Sequence, residues 1–280
     1  MKNILVPTDF SELSKVAARY AVDLVKNHDI EIHLLHVKGV NQASHSLVNM
    51  HKLESEMDRA VEEDGHKLIK ELSAMSEHKL KIRLVNKVGN SIQKAIEEYA
   101  EKQHIDLIVM GSGGADGLKK ALVGSNAVTV INHSKIPVIV VPGNASFDGL
   151  NDIVYATDMN HLATEMSQMS KLAKWFGAKL HILHVIRDGK HEKMHVESIL
   201  ATLDKIVPGI SIEFHTARGS HIAEAIDHFV THQKADLVAL FTHKLEFYEK
   251  LFDTSVTRQM AYQNHVPMLS FNKTTHAVLN

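Results

Sequence analysis

Residues 105–141 read IDLIVMGSGGADGLKKALVGSNAVTVINHSKIPVIVV. The apolar run Ile105–Met110 is short and rich in branched residues, so it reads as a buried strand, and Ile136–Val141 reads the same way. Between them lie glycines at 111, 113, 114, 117 and 124, then a helical segment over about 125–133. Strand, glycine-rich turn, helix and strand make one βαβ unit, whose two strands run parallel. Glycines at the end of such a strand let several backbone N–H groups converge without a Cβ in the way. The helix N-terminus beyond adds positive potential, which suits phosphate. The same glycines also serve as ordinary turn formers, and this stretch alone leaves both readings open.

Working outward, Asn3-Ile4-Leu5-Val6-Pro7 is a short buried strand that stops at Thr8-Asp9. Ser11 then caps a helix whose apolar positions Leu13, Val16, Ala17, Tyr20, Ala21, Leu24 and Val25 share one face. Ile30–Val37 is a second strand, and residues 46–76 carry a long polar helix with a sparse apolar stripe. Residues 79–85 alternate polar and apolar, as a strand with one wet face near an edge does. Gly89 ends that strand, and Ile92, Ala95, Ile96 and Tyr99 mark another helix. Strands alternating with helices predict an α/β fold: a mostly parallel, open, five-stranded sheet with helices on both faces.

Residues 142–151, PGNASFDGLN, have linker composition, and after them the pattern starts again. Ile4–Asp9 (ILVPTD) matches Ile153–Asp158 (IVYATD), and Ile32–Val37 (IHLLHV) matches Leu180–Val185 (LHILHV). Gly89 matches Gly219, Asp106–Val109 matches Asp236–Ala239, and Ile136-Pro137 matches Val266-Pro267. The offset is 149 at the first strand, 148 at the second and 130 thereafter, so the second copy is shorter around its second helix. This is an internal duplication. It predicts two domains, 1–143 and 150–280, packed as a pseudo-two-fold tandem, an intramolecular pseudo-dimer.

Composition narrows the function classes. Lys+Arg 31 against Asp+Glu 33 gives a net charge of −2, so there is no global electrostatic case for nucleic acid or an anionic membrane. No stretch approaches the ~18 apolar residues of a membrane span. The 280 residues contain no cysteine, which removes disulfides and thiolate chemistry. A soluble cytoplasmic protein is expected. Histidines number 21. The pairs His33/His36 and His181/His184 stand three apart on strands, so each pair faces opposite sides and does not chelate together. His228 and His232 are four apart on a helix, close enough to share a metal, but no carboxylate ligand pattern accompanies them, and no metal site is expected.

The glycine stretch, set in this duplicated frame, resembles the universal stress protein family in its tandem two-domain form. The family's nucleotide pattern G-x2-G-x9-G-[ST] is met in every spacing by Gly111, Gly114, Gly124 and Ser125. Val6-Pro7-Thr8-Asp9-Phe10-Ser11 and Leu35-His36-Val37 are also similar to the family's. The resemblance implies a Rossmann-like, adenine nucleotide alpha hydrolase-like fold and an ATP site at the carboxyl ends of the strands, with magnesium as a possible companion ion. By matching position, Pro7, Thr8 and Asp9 would hold the adenosine end and Val37 would pack on adenine. Met110 and Gly111 would line the ribose, and Gly114, Gly124, Ser125 and Asn126 would bind the phosphates. Lys119 and Lys120 lie between the glycines, where a solvated loop face explains them as well. The resemblance also offers the last strand of each half as a pairing edge. It implies a nucleotide-dependent regulatory protein of the stress response, with an unnamed protein partner and further homodimer formation left open.

The second half departs from the pattern. Phe241, Lys244 and Thr254 replace Gly111, Gly114 and Gly124, while Ser255 keeps the serine. ATP binding is therefore expected in the first half only. The second half reads as a structural copy, or as the site of another ligand among Tyr155, Asp158, His243 and Tyr248. Substituting Gly124 by Val or Gly111 by Phe is expected to abolish ATP binding with little loss of fold, since the second half folds with Thr254 and Phe241. Slow ATP hydrolysis, adenylation and a scaffold without nucleotide are the rivals. A Walker A loop is excluded because no glycine continues as G-x4-G-K-[ST], and no catalytic residue is assignable from spacing.

Overall fold

The computed structural model describes residues 1–39, 47–112, 125–189, 194–242 and 266–272. The first half runs β1 (Asn3–Pro7), α1 (Glu12–Val25), β2 (Glu31–Lys38), α2 (Leu47–Ser73), β3 (Lys81–Val88), α3 (Ile92–Lys102), β4 (Leu107–Gly111), α4 (Ser125–His133) and β5 (Val138–Val141). The second runs β6 (Asp152–Ala156), α5 (Leu162–Phe176), β7 (Lys179–Ile186), α6 (Val196–Ile206), β8 (Ile212–Arg218), α7 (Ile222–Gln233), β9 (Leu237–Thr242) and β10 (Met268–Asn272). The shortening falls where the repeat offsets place it: α6 has 11 residues where α2 has 27.

The strands do not form two separate sheets. They join in one ten-stranded sheet, in the order β3-β2-β1-β4-β5-β10-β9-β6-β7-β8. Pairing is parallel within each half and antiparallel at the seam, where Ile139 faces Leu269 and Val140 faces Met268. The last strands are therefore the pairing edges. Joining there buries two strands that would each present unpaired backbone groups. β3 and β8 remain as outer edges, and on β3 Lys81 and Arg83 pair with Asp29 (2.6 Å) and Glu31 (2.9 Å).

Alternation along each strand sorts side chains to two faces. Ile4 and Val6 join a cluster with α1 and α2 residues, and Leu5 joins the opposite cluster with Ile96 of α3 and Val130 of α4. The first of these clusters crosses the seam without a break, taking in Met166, Met169 and Leu172 of α5 and Leu203 of α6. His28 stacks on Trp175 at 4.1 Å, and Phe147 of the connecting segment meets Tyr20 edge-on at 5.3 Å. The two halves thus share one core on that face. Matching latches hold both halves at the amino ends of the strands. The Asp106 carboxylate accepts from the backbone N–H of Lys2 (2.5 Å) and Asn3 (3.1 Å), and Asp236 accepts from Asn151 (2.7 Å) and Asp152 (2.9 Å). No described helix is long and apolar enough to cross a membrane.

Candidate functional site

In the first half the chain leaves β1 for β2 on one side, and later returns to place β4 on the other. In an open parallel sheet that reversal opens a crevice outside the carboxyl ends of the two flanking strands. The segments bordering it here are Thr8–Ser11 after β1 and Gly111–Ser112 at the end of β4.

The first of these segments is tightly organised. Thr8 N–H donates to the Leu35 carbonyl at 2.9 Å, carrying the β1–β2 ladder one residue further. The Thr8 and Ser14 hydroxyls lie 3.0 Å apart in a buried pair, and Phe10 N–H donates to Thr8 Oγ1 at 3.0 Å. Ser11 caps α1 by accepting from Ser14 N–H at 3.3 Å. Asp9 Oδ1 accepts from the Ser11 N–H (3.0 Å) and hydroxyl (2.5 Å) while the residue stays exposed. Partial desolvation raises the Asp9 pKa, but the hydrogen bonds from Ser11 and Ser14 outweigh it, so its carboxyl sits below the ordinary value. Phe10 adopts a left-handed backbone, with φ of 61°.

His36 also shapes this loop, a role the sequence reading did not give it. Its Nδ1 lies 2.9 Å from the Thr8 carbonyl oxygen, so the ring N–H donates there, and Phe10 stacks on the ring at 5.1 Å. The signal was present as a repeat: His184 makes the same bond to Thr157 at 3.0 Å.

Of the residues expected to hold a nucleotide, Pro7, Thr8 and Asp9 follow β1, Val37 lies half-buried near the end of β2, and Met110 and Gly111 end β4. The strand order brings these three strand ends side by side. Ser125 opens α4 and Asn126 is exposed on its first turn. Gly114, Gly124, Lys119, Lys120 and the Ser125 side chain lie outside the described residues. Gly111 has a packing reason of its own. A Cβ there would stand 2.7 Å from the Leu13 carbonyl oxygen in the first turn of α1. The expectation that Gly111→Phe leaves the fold little affected is therefore corrected: α1 closes onto β4 only because that residue has no side chain.

The second half repeats the backbone N–H bonds of the β1 loop, although α5 has no side-chain cap and Thr157 Oγ1 donates to Glu165 instead. Thr157 N–H donates to Leu183 at 2.9 Å, Met159 N–H to Thr157 Oγ1 at 3.0 Å, and Asn160 N–H to Asp158 Oδ1 at 3.0 Å. Met159 is left-handed with φ of 68°, as Phe10 is. The loop geometry alone thus belongs to the fold. The β4 equivalent differs: Phe241 stacks on Phe271 at 4.5 Å and meets Tyr155 edge-on at 5.6 Å. Tyr155, a candidate ligand contact in the sequence, is fully buried and donates its hydroxyl to the buried Glu165 carboxylate, so it is a core residue. His243 and Tyr248 lie outside the described residues.

The model of the universal stress protein family matches residues 1–142. A universal stress protein of Methanocaldococcus jannaschii is 34% identical over 144 residues, covering 50% of this chain and 81% of that protein. Universal stress protein G of Escherichia coli O157:H7 is 34% identical over 146 residues, covering 50% of this chain and 98% of that protein. The crystal structure of a universal stress protein from Archaeoglobus fulgidus superposes along 97% of this chain and 98% of its own, with a TM-score of 0.70 at 22% identity, and so shares the whole tandem fold. The chain belongs to the universal stress protein family.

Proposed function

We propose that the first half binds ATP at the carboxyl ends of β2, β1 and β4, that the second half does not, and that occupancy sets a conformation which a protein partner reads. The observation that carries this reading is the complete Gly111, Gly114, Gly124, Ser125 spacing, which starts at the end of β4, beside the crevice, and ends at the N-terminus of α4. Backbone N–H groups in that segment and the α4 dipole serve the phosphates. Asp9, ionised and exposed, accepts from ribose hydroxyls or the adenine amino group. Val37 supplies an apolar contact for the base. Magnesium, where present, is carried by the phosphates.

The second half keeps the first loop but has Phe241 where backbone must approach a nucleotide, which supports one site per chain. Ligand binding to one folded conformation stabilises it by mass action, and that is the basis of a regulatory reading. The test is calorimetric titration of ATP with magnesium into the full chain, with mass spectrometry of any nucleotide that co-purifies. One site per chain is expected, lost in Gly124→Val and kept in Thr254→Val. Equal affinity in the wild type and Gly124→Val would overturn the assigned site. Turnover of about 1 s⁻¹ or more would replace the regulatory reading with an enzymatic one.

A further inference from the structure

We propose that His181, Glu213 and His215 form a binding site for a divalent first-row transition ion of the zinc type, with Asp152 as the carboxylate that positions His181. The site lies at the amino ends of β6, β7 and β8, in the other half of the sheet from the nucleotide loop and several strands away from it. It does not depend on nucleotide binding.

The register of β7 and β8 assembles the donors. His181 stands directly opposite Glu213, and His215 follows two residues along β8 on the same face. His181 Nδ1 is 3.1 Å from His215 Nε2 and 3.5 Å from Glu213 Oε2, and His215 Nε2 is 3.6 Å from that same oxygen. Three ligands at about 2.0–2.1 Å around a tetrahedral zinc lie about 3.3 Å apart, so the triangle is already of the size that the ion requires. Two histidines and a carboxylate form a nitrogen–oxygen set that suits zinc and its neighbours and leaves a fourth position for water.

The surroundings are those of a supported ligand set. His181 Nε2 is 2.8 Å from Asp152 Oδ1, so that nitrogen carries the proton and Nδ1 presents its lone pair to the other two donors. Carboxylates in this position fix the tautomer of metal-bound histidines and raise their basicity. The other Glu213 oxygen is held by Lys179 Nζ at 2.6 Å, which aims the free one inward. Phe229 of α7 packs against the His215 ring at 4.8 Å. The buried His181 and half-exposed Glu213 give the cluster a fixed floor and a solvent-facing entry.

The duplication provides an internal control. At the matching positions the first half has His33, Arg83, Val85 and Asn3 in place of His181, Glu213, His215 and Asp152. There His33 Nδ1 is engaged by the Tyr99 hydroxyl at 2.8 Å, and the tyrosine itself is Phe229 in the second half. A histidine common to both halves is thus satisfied locally in one. In the other it is surrounded by three residues, Asp, Glu and His, that each add a metal donor or its support.

The test uses untagged full-length protein, stripped with chelator and titrated with zinc chloride in a calorimeter. One tight site per chain is expected. Glu213→Arg and His215→Val, which install the first half's residues, should each weaken it at least ~100-fold, and Asp152→Asn by ~10–100-fold. The double variant His228→Ala, His232→Ala should keep it. Cobalt in place of zinc should give the visible spectrum of a tetrahedral site in the wild type and lose it in His215→Val. Circular dichroism checks that the variants fold. A wild type with no tight phase, its histidines merely hydrogen-bonded to each other, would overturn the proposal. So would a tight phase that survives both Glu213→Arg and His215→Val.

Discussion

At three matching places the first half carries Val6, Gly111 and Val141 and the second carries Tyr155, Phe241 and Phe271. All six lie at the carboxyl ends of central strands in a sheet whose ladders are otherwise the same in both halves. In the first half α1 closes onto Gly111 until a single added carbon would strike its backbone. In the second a whole aromatic ring occupies that position, so α5 cannot approach β9 in the same way. The frame is common to both halves, because parallel pairing and the shared core both run through it. The halves differ at both ends: the first carries the glycine pattern at its carboxyl end, and the second carries the His181, Glu213 and His215 cluster at its amino end.

If Phe241, Phe271 and Tyr155 fill space that a helix fills in the other half, truncating one leaves a cavity. Phe241→Ala should cost about 3–5 kcal/mol, read from the midpoint of urea unfolding. A cost below about 1 kcal/mol would mean that α5 collapses onto β9 as α1 does onto β4, and the contrast between the halves would vanish. The reciprocal change is Gly111→Ala, which should destabilise by about 1–3 kcal/mol through overpacking against Leu13. Gly89→Ala is its control: a Cβ there meets Ala95 at an ordinary 3.6 Å, so stability should hold or rise by up to ~1 kcal/mol.

The matching loops offer a comparison in binding rather than stability. Asp9→Asn should weaken ATP binding by roughly tenfold, about 1.4 kcal/mol, and Asp158→Asn should leave it unchanged. Equal losses in both variants would place nucleotide in both halves and end the one-site reading.

How much of this was legible in the sequence depended on the distance over which each feature is set. The fully apolar strand Ile4–Val6, the Ser11 cap of α1 and the apolar face of α3 are set locally, and the sequence located them. The wet alternation of β3 announced an outer edge, and the structure puts β3 there. The continuous sheet was not legible from pattern, because β5 and β10 read as buried strands whatever lies beside them. The steric reason for Gly111 was not legible either, because Leu13 is remote in sequence. The metal cluster was invisible for a similar cause. The chain sets His181 beside His184, whereas its partners come from the next strand by a register that only pairing fixes. His36 was visible as a repeated letter, but its bond to Thr8 was not.

The smallest effect concerns the ionisation of Asp9. Its carboxylate accepts twice from Ser11 at the start of α1, where negative charge is favoured by the helix dipole. The folded-state pKa is therefore lowered from 3.8, and folding binds the deprotonated form more strongly than the unfolded chain does. For a depressed carboxylate the stabilisation is complete above the unfolded value and disappears as pH falls through the folded one. Asp9→Asn should accordingly cost about 0.3–1 kcal/mol near neutral pH. The gap between variant and wild type should close as the pH falls below 3.8. Added salt should narrow it as well, because the group is exposed and its charge is screened. A gap that stays constant from neutral to strongly acidic pH would mean that the amide disturbs loop geometry and that charge contributes nothing there. Asp9 would then differ from Asp158 in its value to a nucleotide, but not in its value to the fold.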